Sequence, residues 1–273
     1  MNIYKSKPLK YENEIPIFSF SDEYIENYNK IGKDVLKNID IHGENPFMPE
    51  NYWNSIENST LLLIEKYIKK NDKILDVGVG LGRLLAKINQ DVEKFGVDID
   101  INQLVKSKDS INVCLSKVEE IPYIDELFDI IICTDVLEHV IDLNLAIKNI
   151  IDCLKLNGKL IIRVPFRENL SNYLDPSYPY KFAHLRNFDE NSLQLLFNKI
   201  FDMNVLDISY CGYVNSRTKV RFFNEMKIPQ KAISVIINIT SFFSKSLEMK
   251  LIKYFILPIE INMVLEKKCN TKK

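Results

Sequence analysis

Short apolar runs alternate along the middle of the chain with longer segments of mixed polarity. The runs lie at 74–77, 95–98, 113–115, 128–135 and 159–165 and are rich in Ile and Val. A continuous apolar run such as 128–135 is typical of a parallel strand that is buried on both faces. Strands that alternate with helical segments predict an α/β protein with a doubly wound, mostly parallel sheet.

Two more strands are predicted towards the end of the chain, at 204–211 and 259–266. The second alternates apolar and polar residues, with Ile259, Ile261, Met263 and Leu265 on one face, and is predicted to be the antiparallel last strand of a seven-stranded sheet. Between them, the uncharged stretch 232–244 predicts a helix that is too short to cross a bilayer. Another helix is predicted at about 52–69, before the first strand.

A glycine-rich turn follows the first predicted strand. Three of the eight glycines, Gly78, Gly80 and Gly82, fall within five positions, and a helix is predicted from about Arg83. Glycine has no Cβ, so it permits a sharp turn and lets a ligand lie against the backbone. A turn of this kind between a strand and a helix predicts a nucleotide-type cofactor site at the carboxyl end of the strand.

Two carboxylates indicate which cofactor the turn suits. Arg83 stands where a dinucleotide-binding loop would have its third glycine, and the phosphate-binding G-x-x-x-x-G-K-[ST] pattern is absent. Asp76, two residues before the first glycine, would repel a pyrophosphate but suits an ammonium group. Asp98 ends the second strand 22 residues later, near the spacing of a carboxylate that binds ribose hydroxyls. The pattern therefore favours a cationic cofactor such as S-adenosylmethionine (SAM).

Four segments between 74 and 165 together carry a family resemblance. In these segments the chain resembles the class I SAM-dependent methyltransferases. The segments match that family in order and spacing, and they read ILDVGVGLGRLL, FGVDID, FDIIICTDVLEHV and LKLNGKLIIRVP. The LEHV step is closest to a group that includes the quinone-biosynthesis O-methyltransferases. The resemblance implies a SAM site made of Asp76, Gly78, Gly80 and Gly82 at the methionine part, Asp98 and Ile99 at the ribose, Val118 and Glu119 at the adenine, and Thr134 at the sulfonium.

The resemblance also implies a division of the chain. Residues 1–60 would form an N-terminal cap or helical lid, although a helix that only packs on the core fits equally well. Residues 61–212 would form the SAM-binding core, 213–257 a helical insertion, and 258–273 the final strand and tail. At one point the chain departs from the family: an acid that often contacts the adenine amine is replaced by Lys117. Either Glu119 or a backbone carbonyl would take that contact.

Four side chains are candidates for the chemistry of methyl transfer. The reaction is an in-line displacement, so the protein supplies alignment and, where needed, a base. Asp135, Glu138 and His139 follow the fourth strand, and they would share one face if a helical turn began at Asp135. His184 follows the fifth strand. We predict His184 or His139 as the base, with Glu138 beside them.

The same four residues have two other interpretations. Asp135, Glu138, His139 and His184 offer carboxylate and imidazole ligands, so they could hold a divalent metal. That set resembles the metal-dependent small-RNA 2′-O-methyltransferases and some quinone O-methyltransferases. Alternatively, Glu138 and His139 only cap and orient a helix, and the protein aligns the reactants without a base.

The arginines indicate the kind of acceptor. Five of the six fall between 163 and 221, and arginine suits bidentate binding of carboxylate or phosphate. We therefore expect O-methylation of a small anionic or polyhydroxylated acceptor, such as a sugar phosphate, a nucleotide-linked sugar or a glycan precursor. The predicted acceptor contacts are Arg163, Arg167, Arg186 and Tyr180. The alternatives are N-methylation, metal-assisted methylation of a quinone precursor, diol or RNA end, and SAM binding without methyl transfer.

Composition and charge indicate which partners and which cellular compartment to expect. The net charge of −1 provides no field for DNA, and no RNA partner is expected. Five cysteines without C-x-x-C spacing predict buried thiols in a reducing compartment, and the N-terminus has no signal-peptide core, so we expect a cytoplasmic protein. The apolar stretch and lysines at 231–257 could form an acceptor wall, a dimer interface, a peripheral membrane contact or a helix packed on the core. The chain would be a monomer or a homodimer.

Overall fold

The computed structural model describes residues 3–42, 50–212 and 258–268. The predicted insertion at 213–257, with its helix at 232–244, therefore lies outside the described residues. So do the linker at 43–49, Arg217, Arg221 and Cys269. The four described cysteines are buried free thiols, as predicted.

A nine-stranded sheet forms the centre of the fold. Its strands are β1 (Lys10–Glu12), β2 (Ile15–Ile17), β3 (Lys73–Val77), β4 (Glu93–Asp98), β5 (Asn112–Leu115), β6 (Phe128–Thr134), β7 (Leu154–Pro165), β8 (Asn204–Cys211) and β9 (Glu260–Glu266). They lie in the order β1-β2-β5-β4-β3-β6-β7-β9-β8. Strands β5, β4, β3, β6 and β7 run parallel, and β9 is antiparallel to both β7 and β8. The α/β class, the seven predicted strands and the antiparallel last strand are confirmed.

Helices cover the sheet and connect its strands. They are α1 (Glu23–His42), α2 (Glu50–Tyr67), α3 (Arg83–Ala86), α4 (Ile101–Ser107), α5 (Leu143–Cys153) and α6 (Glu190–Gln194), which continues into a π-helical turn at Leu195–Ile200. Short 3₁₀ turns lie at Val118–Glu120 and Leu170–Leu174. Asp100, Asp142 and Asp189 begin α4, α5 and α6, and each side chain accepts a hydrogen bond from the backbone of its own helix. No described helix has the length and apolar character needed to span a membrane.

The hairpin β1–β2 is missing from the sequence prediction. Each strand has only three residues, and all three of β1 are exposed, so hydrophobic alternation cannot reveal them. The two residues between them, Asn13 and Glu14, both have positive φ, at 51° and 68°, which is the conformation of a tight hairpin turn. The hairpin adds to the β5 edge through the pairing of Ile17 with Leu115.

Strand β6 is the centre of the core and defines the position of the site. Residues 130–133 are buried by neighbouring strands and by helices on both faces. The chain passes from β3 outward through β4 to β5, then returns to β6 on the other side of β3. Strand order thus reverses between β3 and β6, and a crevice at the carboxyl ends of these strands is where doubly wound folds bind ligands.

Candidate active site

A cavity of about 370 Å³ opens at this point of the sheet. Its floor comes from the turns that follow β3, β4 and β6, and side chains of α1 and α2 line it as well. Its lining includes Tyr24, Tyr28, Trp53, Glu57, Asp76, Gly78, Gly80, Asp98, Ile99, Asp100, Val118, Thr134, Asp135, His139 and Arg163. Most of the predicted cofactor contacts therefore lie around one cavity.

Asp76 is a buried carboxylate in the wall of this cavity. Its side chain is 3% exposed, and Oδ1 has no hydrogen-bond partner among the described residues. Burial, and then the nearby charge of Asp98, raises the pKa of Asp76 to about 8. An orphaned carboxylate oxygen of this kind is satisfied by a cationic hydrogen-bond donor, and the ammonium group of SAM is one.

The three glycines of the turn divide into two groups. Gly78 and Gly80 line the cavity with φ of 78° and 48°, so their backbone faces the ligand space. Gly82 begins α3 and does not line the cavity. A Cβ at Gly82 would lie 2.5 Å from Cδ1 of Ile111, so this glycine allows the helix to pack closely. The structure thus gives Gly82 a packing role, and its contact with the cofactor stays a prediction.

Asp98 ends β4 beside Ile99, and both line the cavity. Its Oδ1 accepts hydrogen bonds from the backbone N–H groups of Ile99 and Asp100, at 2.7 and 2.9 Å, and Oδ2 accepts one from Gly80 at 2.8 Å. Burial raises the pKa of Asp98 to about 6, although these three hydrogen bonds oppose the shift. The carboxylate is thus fixed against the glycine turn, at the edge where the ribose was expected.

The adenine side differs from the prediction at one residue. Val118 is buried and lines the cavity. Glu119 does not line it, because its Oε1 accepts the backbone N–H groups of Ile141 and Asp142, both at 3.1 Å. Lys117 forms an ion pair with Asp22. Glu119 thus holds the loop before α5 and does not face the adenine position, which leaves the open alternative of a backbone carbonyl.

Helices α1 and α2 bring residues that the sequence analysis did not assign to the site. Glu57 of α2 is 4% exposed and accepts Trp53 Nε1 at 2.6 Å, Arg83 Nε at 3.1 Å and Lys87 Nζ at 2.5 Å. This network ties α2 to the helix that follows the glycine turn. Tyr24 and Tyr28 of α1 line the cavity on the side of His139. Their spacing of four residues on an amphipathic helix was the available signal.

Asp135 does not belong to a helical turn. It has a φ of 57°, and the turn that follows spans only residues 137–139. Its carboxylate pairs with the buried guanidinium of Arg163, which also donates to Thr60 Oγ1 at 2.9 Å. Asp135 is accordingly absent from the group of potential metal ligands that the described residues form. Its prediction as a fourth metal ligand is therefore wrong.

Glu138, His139 and His184 do come together, each offering one ligand atom within 4.8 Å of the others. The rings of His139 and His184 are nearly perpendicular, with centroids 4.5 Å apart. Both carboxylate oxygens of Glu138 are buried without a hydrogen-bond partner among the residues that the structure describes, and burial raises the pKa of Glu138 well above its usual range. Burial, and then His184, lowers the pKa of His139 to about 4, so its imidazole is neutral at physiological pH.

A carboxylate that the sequence analysis missed orients His184. Nδ1 of His184 donates to Glu168 Oε2, and the hydroxyl of Tyr173 donates to Glu168 Oε1 at 2.7 Å. These two hydrogen bonds lower the pKa of Glu168 in spite of its partial burial. The sequence offered no periodic signal for Glu168, since it lies in an irregular loop after β7.

Three of the predicted acceptor contacts are engaged elsewhere. Arg163 donates to Asp135 and Thr60, and Arg186 donates to the backbone carbonyls of Leu137, Val140 and Ile141. Tyr180 donates to Asp34 Oδ2 at 3.1 Å. Arg167 is exposed, and its guanidinium lies 3.9 Å from Asp189. Arg163 and Arg186 thus position the loop that carries Glu138 and His139, and Arg167 alone retains a guanidinium open to solvent.

Comparisons with known proteins identify the domain. Residues 75–162 match the family model described as a methyltransferase domain. Over 110 residues, or 40% of the chain, the sequence is 34% identical to an uncharacterised protein of Methanocaldococcus jannaschii, and the match covers 48% of that protein. Over 108 residues, or 35% of the chain, it is 30% identical to the ubiquinone/menaquinone biosynthesis C-methyltransferase of Pectobacterium atrosepticum, of which the match covers 43%. The chain thus spans about half the length of these curated relatives.

A solved structure extends the similarity to most of the fold. It is the complex between the Haloferax volcanii Trm112 methyltransferase activator and a methyltransferase, with a TM-score of 0.60 at 13% identity over 92% of this chain and 100% of that one. At this identity the similarity concerns the fold alone. The glycine turn, the orphaned carboxylate of Asp76 and the fixed carboxylate of Asp98 all lie within the matched segment. Residues 75–162 are therefore similar to a methyltransferase domain, and the surrounding fold is of the class I methyltransferase type.

Proposed function

We propose that the protein transfers the methyl group of SAM to an oxygen of a small polyhydroxylated acceptor. The observation that carries this proposal is that a single cavity is lined both by Asp76 and the glycine turn and by Thr134 and His139. The cofactor and the groups that could receive a proton thus share one space. Methyl transfer needs this arrangement, because the acceptor oxygen must approach the methyl carbon in line with the breaking bond to sulfur.

In this proposal one set of residues binds SAM and another takes part in the proton transfer. SAM is held by Asp76, the backbone of Gly78 and Gly80, Asp98, Ile99 and Val118, and Thr134 lies at the sulfonium. Methylation forms the bond between the acceptor oxygen and the methyl carbon, breaks the bond between that carbon and sulfur, and releases the hydroxyl proton. Neutral His139, with His184 and Glu138 next to it, accepts that proton. SAM leaves as S-adenosylhomocysteine, which has lost the sulfonium charge.

The surroundings of the histidines favour a polyhydroxylated acceptor over an anionic one. Glu138, Glu168 and Asp135 bring three carboxyl groups to this side of the site, while Arg163 and Arg186 are engaged within the protein. Tyr28 and Tyr173 add hydroxyls and ring faces next to His139 and His184. Sugar-like acceptors use such mixtures of carboxylates, hydroxyls and aromatic faces. An acidic acceptor would depend on Arg167 among the described arginines.

N-methylation of an amine is the second candidate. The unpartnered carboxylate of Glu138 and the aromatic rings around it would attract an ammonium group. The Pectobacterium atrosepticum relative is a C-methyltransferase by name, so it does not decide between an oxygen and a nitrogen acceptor. A turnover measurement distinguishes both candidates from a protein that binds SAM without transferring its methyl group.

Calorimetry and a label-transfer assay test the proposal. SAM and S-adenosylhomocysteine should bind the full chain, NAD should not, and Asp76→Asn should abolish SAM binding. Asp91→Asn is the matched control, because Asp91 is exposed and lies outside the cavity. SAM labelled at the methyl group is then incubated with pools of polyols, sugar derivatives and amines. NAD binding, or SAM binding that Asp76→Asn leaves unchanged, would overturn the cofactor site; label appearing only in amines would favour the second candidate.

A further inference from the structure

The strongest unexplained feature outside the SAM contacts is the buried, unpartnered carboxylate of Glu138. Its exposed fraction is 0%, and neither oxygen has a hydrogen-bond partner among residues 3–42, 50–212 and 258–268. A buried carboxylate in this state is costly unless a proton or a cation compensates it. The positive charge of Arg163 acts on Glu138, but its guanidinium is already paired with Asp135.

The groups next to Glu138 are two imidazoles. Nε2 of His139 lies 3.9 Å from Oε1 of Glu138, and His184 completes the set in which all three ligand atoms lie within 4.8 Å of one another. The side chains of His139 and His184 are 23% and 20% exposed, so an ion could reach the set from solvent. Ligand atoms around a tetrahedral ion stand about 3.4 Å apart, so an ion would draw these side chains together by about 1 Å.

The second nitrogen of each histidine is held in the way that metal ligation requires. Nδ1 of His184 donates to the carboxylate of Glu168, which leaves Nε2 as the nitrogen available to a ligand. Nδ1 of His139 lies 2.9 Å from the hydroxyl of Tyr28 and 3.4 Å from the carbonyl oxygen of Ala183, which leaves Nε2 facing Glu138. Metal-ligating histidines typically donate their other N–H to a carboxylate or a backbone carbonyl, which fixes the tautomer and the ring orientation.

We propose that Glu138, His139 and His184 form a binding site for one divalent first-row transition-metal ion, with Glu168 positioning His184. Two imidazoles and one carboxylate suit Mn²⁺, Fe²⁺, Co²⁺ or Zn²⁺ better than Mg²⁺, which prefers a shell of oxygen ligands. The site differs from the four-ligand set expected from the sequence, because Arg163 holds Asp135 away from it.

The proposal deepens the proposed function at the same site and depends on it only for the use of the ion. With an ion bound, His139 and His184 would act as its ligands and not as the groups that accept the proton. His139 lines the SAM cavity, so the ion would lie where the acceptor hydroxyl is expected. A divalent ion at this position would lower the pKa of a bound hydroxyl group. Binding of the ion itself can be measured without any acceptor.

Cobalt binding to the full chain provides the test. After treatment with a chelator and gel filtration, Co²⁺ is added, and binding is followed by visible absorption and by calorimetry. We expect one equivalent to bind with ligand-field bands. Glu138→Gln and His184→Gln should each weaken binding by more than about 100-fold, and Glu168→Gln by about 10–100-fold, as for an outer-shell partner. Glu138→Gln keeps the shape of the side chain, which limits the damage to the fold.

The third histidine of the chain gives the matched control. His42 is exposed at the end of α1, so His42→Gln should bind Co²⁺ like the wild type. Thermal unfolding and SAM binding are measured on every variant to show that the fold and the cofactor site persist. The proposal is overturned if the wild type binds no stoichiometric ion, or if Glu138→Gln and His184→Gln retain wild-type affinity. If the wild-type protein does not bind SAM, the proposed function is overturned instead.

Discussion

Arg163 of β7 and Asp135 at the end of β6 form an ion pair in the wall of the cofactor cavity. Nε of Arg163 lies 3.3 Å from Oδ1 of Asp135, and an outer guanidinium nitrogen donates to Oδ2. The backbone N–H of Asp135 also donates to the carbonyl oxygen of Arg163, at 3.0 Å. The pair fixes the left-handed conformation of Asp135 at the point where the chain leaves the sheet. Glu138 and His139 follow directly, so the ion pair helps to orient the acceptor side.

Replacement of Arg163 should therefore destabilise the protein markedly. Arg163→Met fills a similar volume but leaves Asp135 without its partner, and breaking a buried pair in this way costs about 3 kcal/mol or more. Arg167→Met is the matched control. Its guanidinium is exposed and lies 3.9 Å from Asp189, so its loss should cost less than about 1 kcal/mol. Urea unfolding of both variants measures the difference, and equal small losses would contradict the role of the pair.

The sequence predicted the sheet and the glycine turn after β3 well because both depend on local patterns. Apolar runs and the glycine turn are properties of consecutive residues, so β3, β4, β6 and the positions of Asp76 and Asp98 could be placed directly. The hairpin β1–β2 could not, because three exposed residues carry no hydrophobic signal.

The acceptor side was predicted less well because its side chains depend on distant partners. Arg186 was predicted to contact the acceptor and Glu119 the adenine, yet each satisfies backbone groups in the loop at 137–142. Glu168 was overlooked although its carboxylate orients His184 across 16 positions of the chain. Whether a charged residue contacts a ligand or a loop is decided by tertiary packing, which hydrophobic periodicity does not report.

SAM binding should release a proton near neutral pH. The pKa of Asp76 is raised to about 8, so the free protein holds a proton there at pH 7, whereas the positive charge of SAM favours the ionised carboxylate. Affinity should therefore increase as pH rises from 6 towards 8, by at most about tenfold per pH unit. In calorimetry at pH 7, the apparent enthalpy should vary with the ionisation enthalpy of the buffer by an amount that corresponds to about one proton released.

The control for this measurement is Asp91→Asn, which removes an exposed carboxylate and should leave the proton release unchanged. S-adenosylhomocysteine retains the amino group but lacks the sulfonium charge, so it reports whether the amino group alone is sufficient. An enthalpy that is the same in all buffers would show that Asp76 is already ionised in the free protein.

Gly32 of α1 allows the helix to lie directly against Asp100, the residue that begins α4. A Cβ at this position would stand 1.4 Å from Oδ2 of Asp100, so Gly32→Ala must either displace the carboxylate that caps α4 or push the two helices apart. Since Tyr28 and Val35 of α1 line the cavity, SAM affinity should fall together with stability. At an unhindered helix position the same change would stabilise the protein by about 0.5–1 kcal/mol. Thermal unfolding and calorimetry follow both effects.

A second substitution should restore part of the loss. Asp100→Ser shortens the side chain and keeps a residue that can cap α4. Gly32→Ala combined with Asp100→Ser should therefore be less damaging than the sum of the single changes, in a double-mutant cycle. An increase in stability for Gly32→Ala alone would show that α1 does not pack closely at this point.

Trp53, the only tryptophan, should report closure of the predicted lid. Its indole lines the cavity from α2 and donates to Glu57 at 2.6 Å, so a bound cofactor would change both its contact with water and its contact with this carboxylate. Titration with S-adenosylhomocysteine should change the emission in a saturable way, with the affinity found by calorimetry. Trp53→Phe should bind without a signal, and Asp76→Asn should give no signal at the same concentrations. Calorimetric binding without a change in wild-type emission would show that α2 leaves the cofactor uncovered and that residues 1–60 only pack on the core.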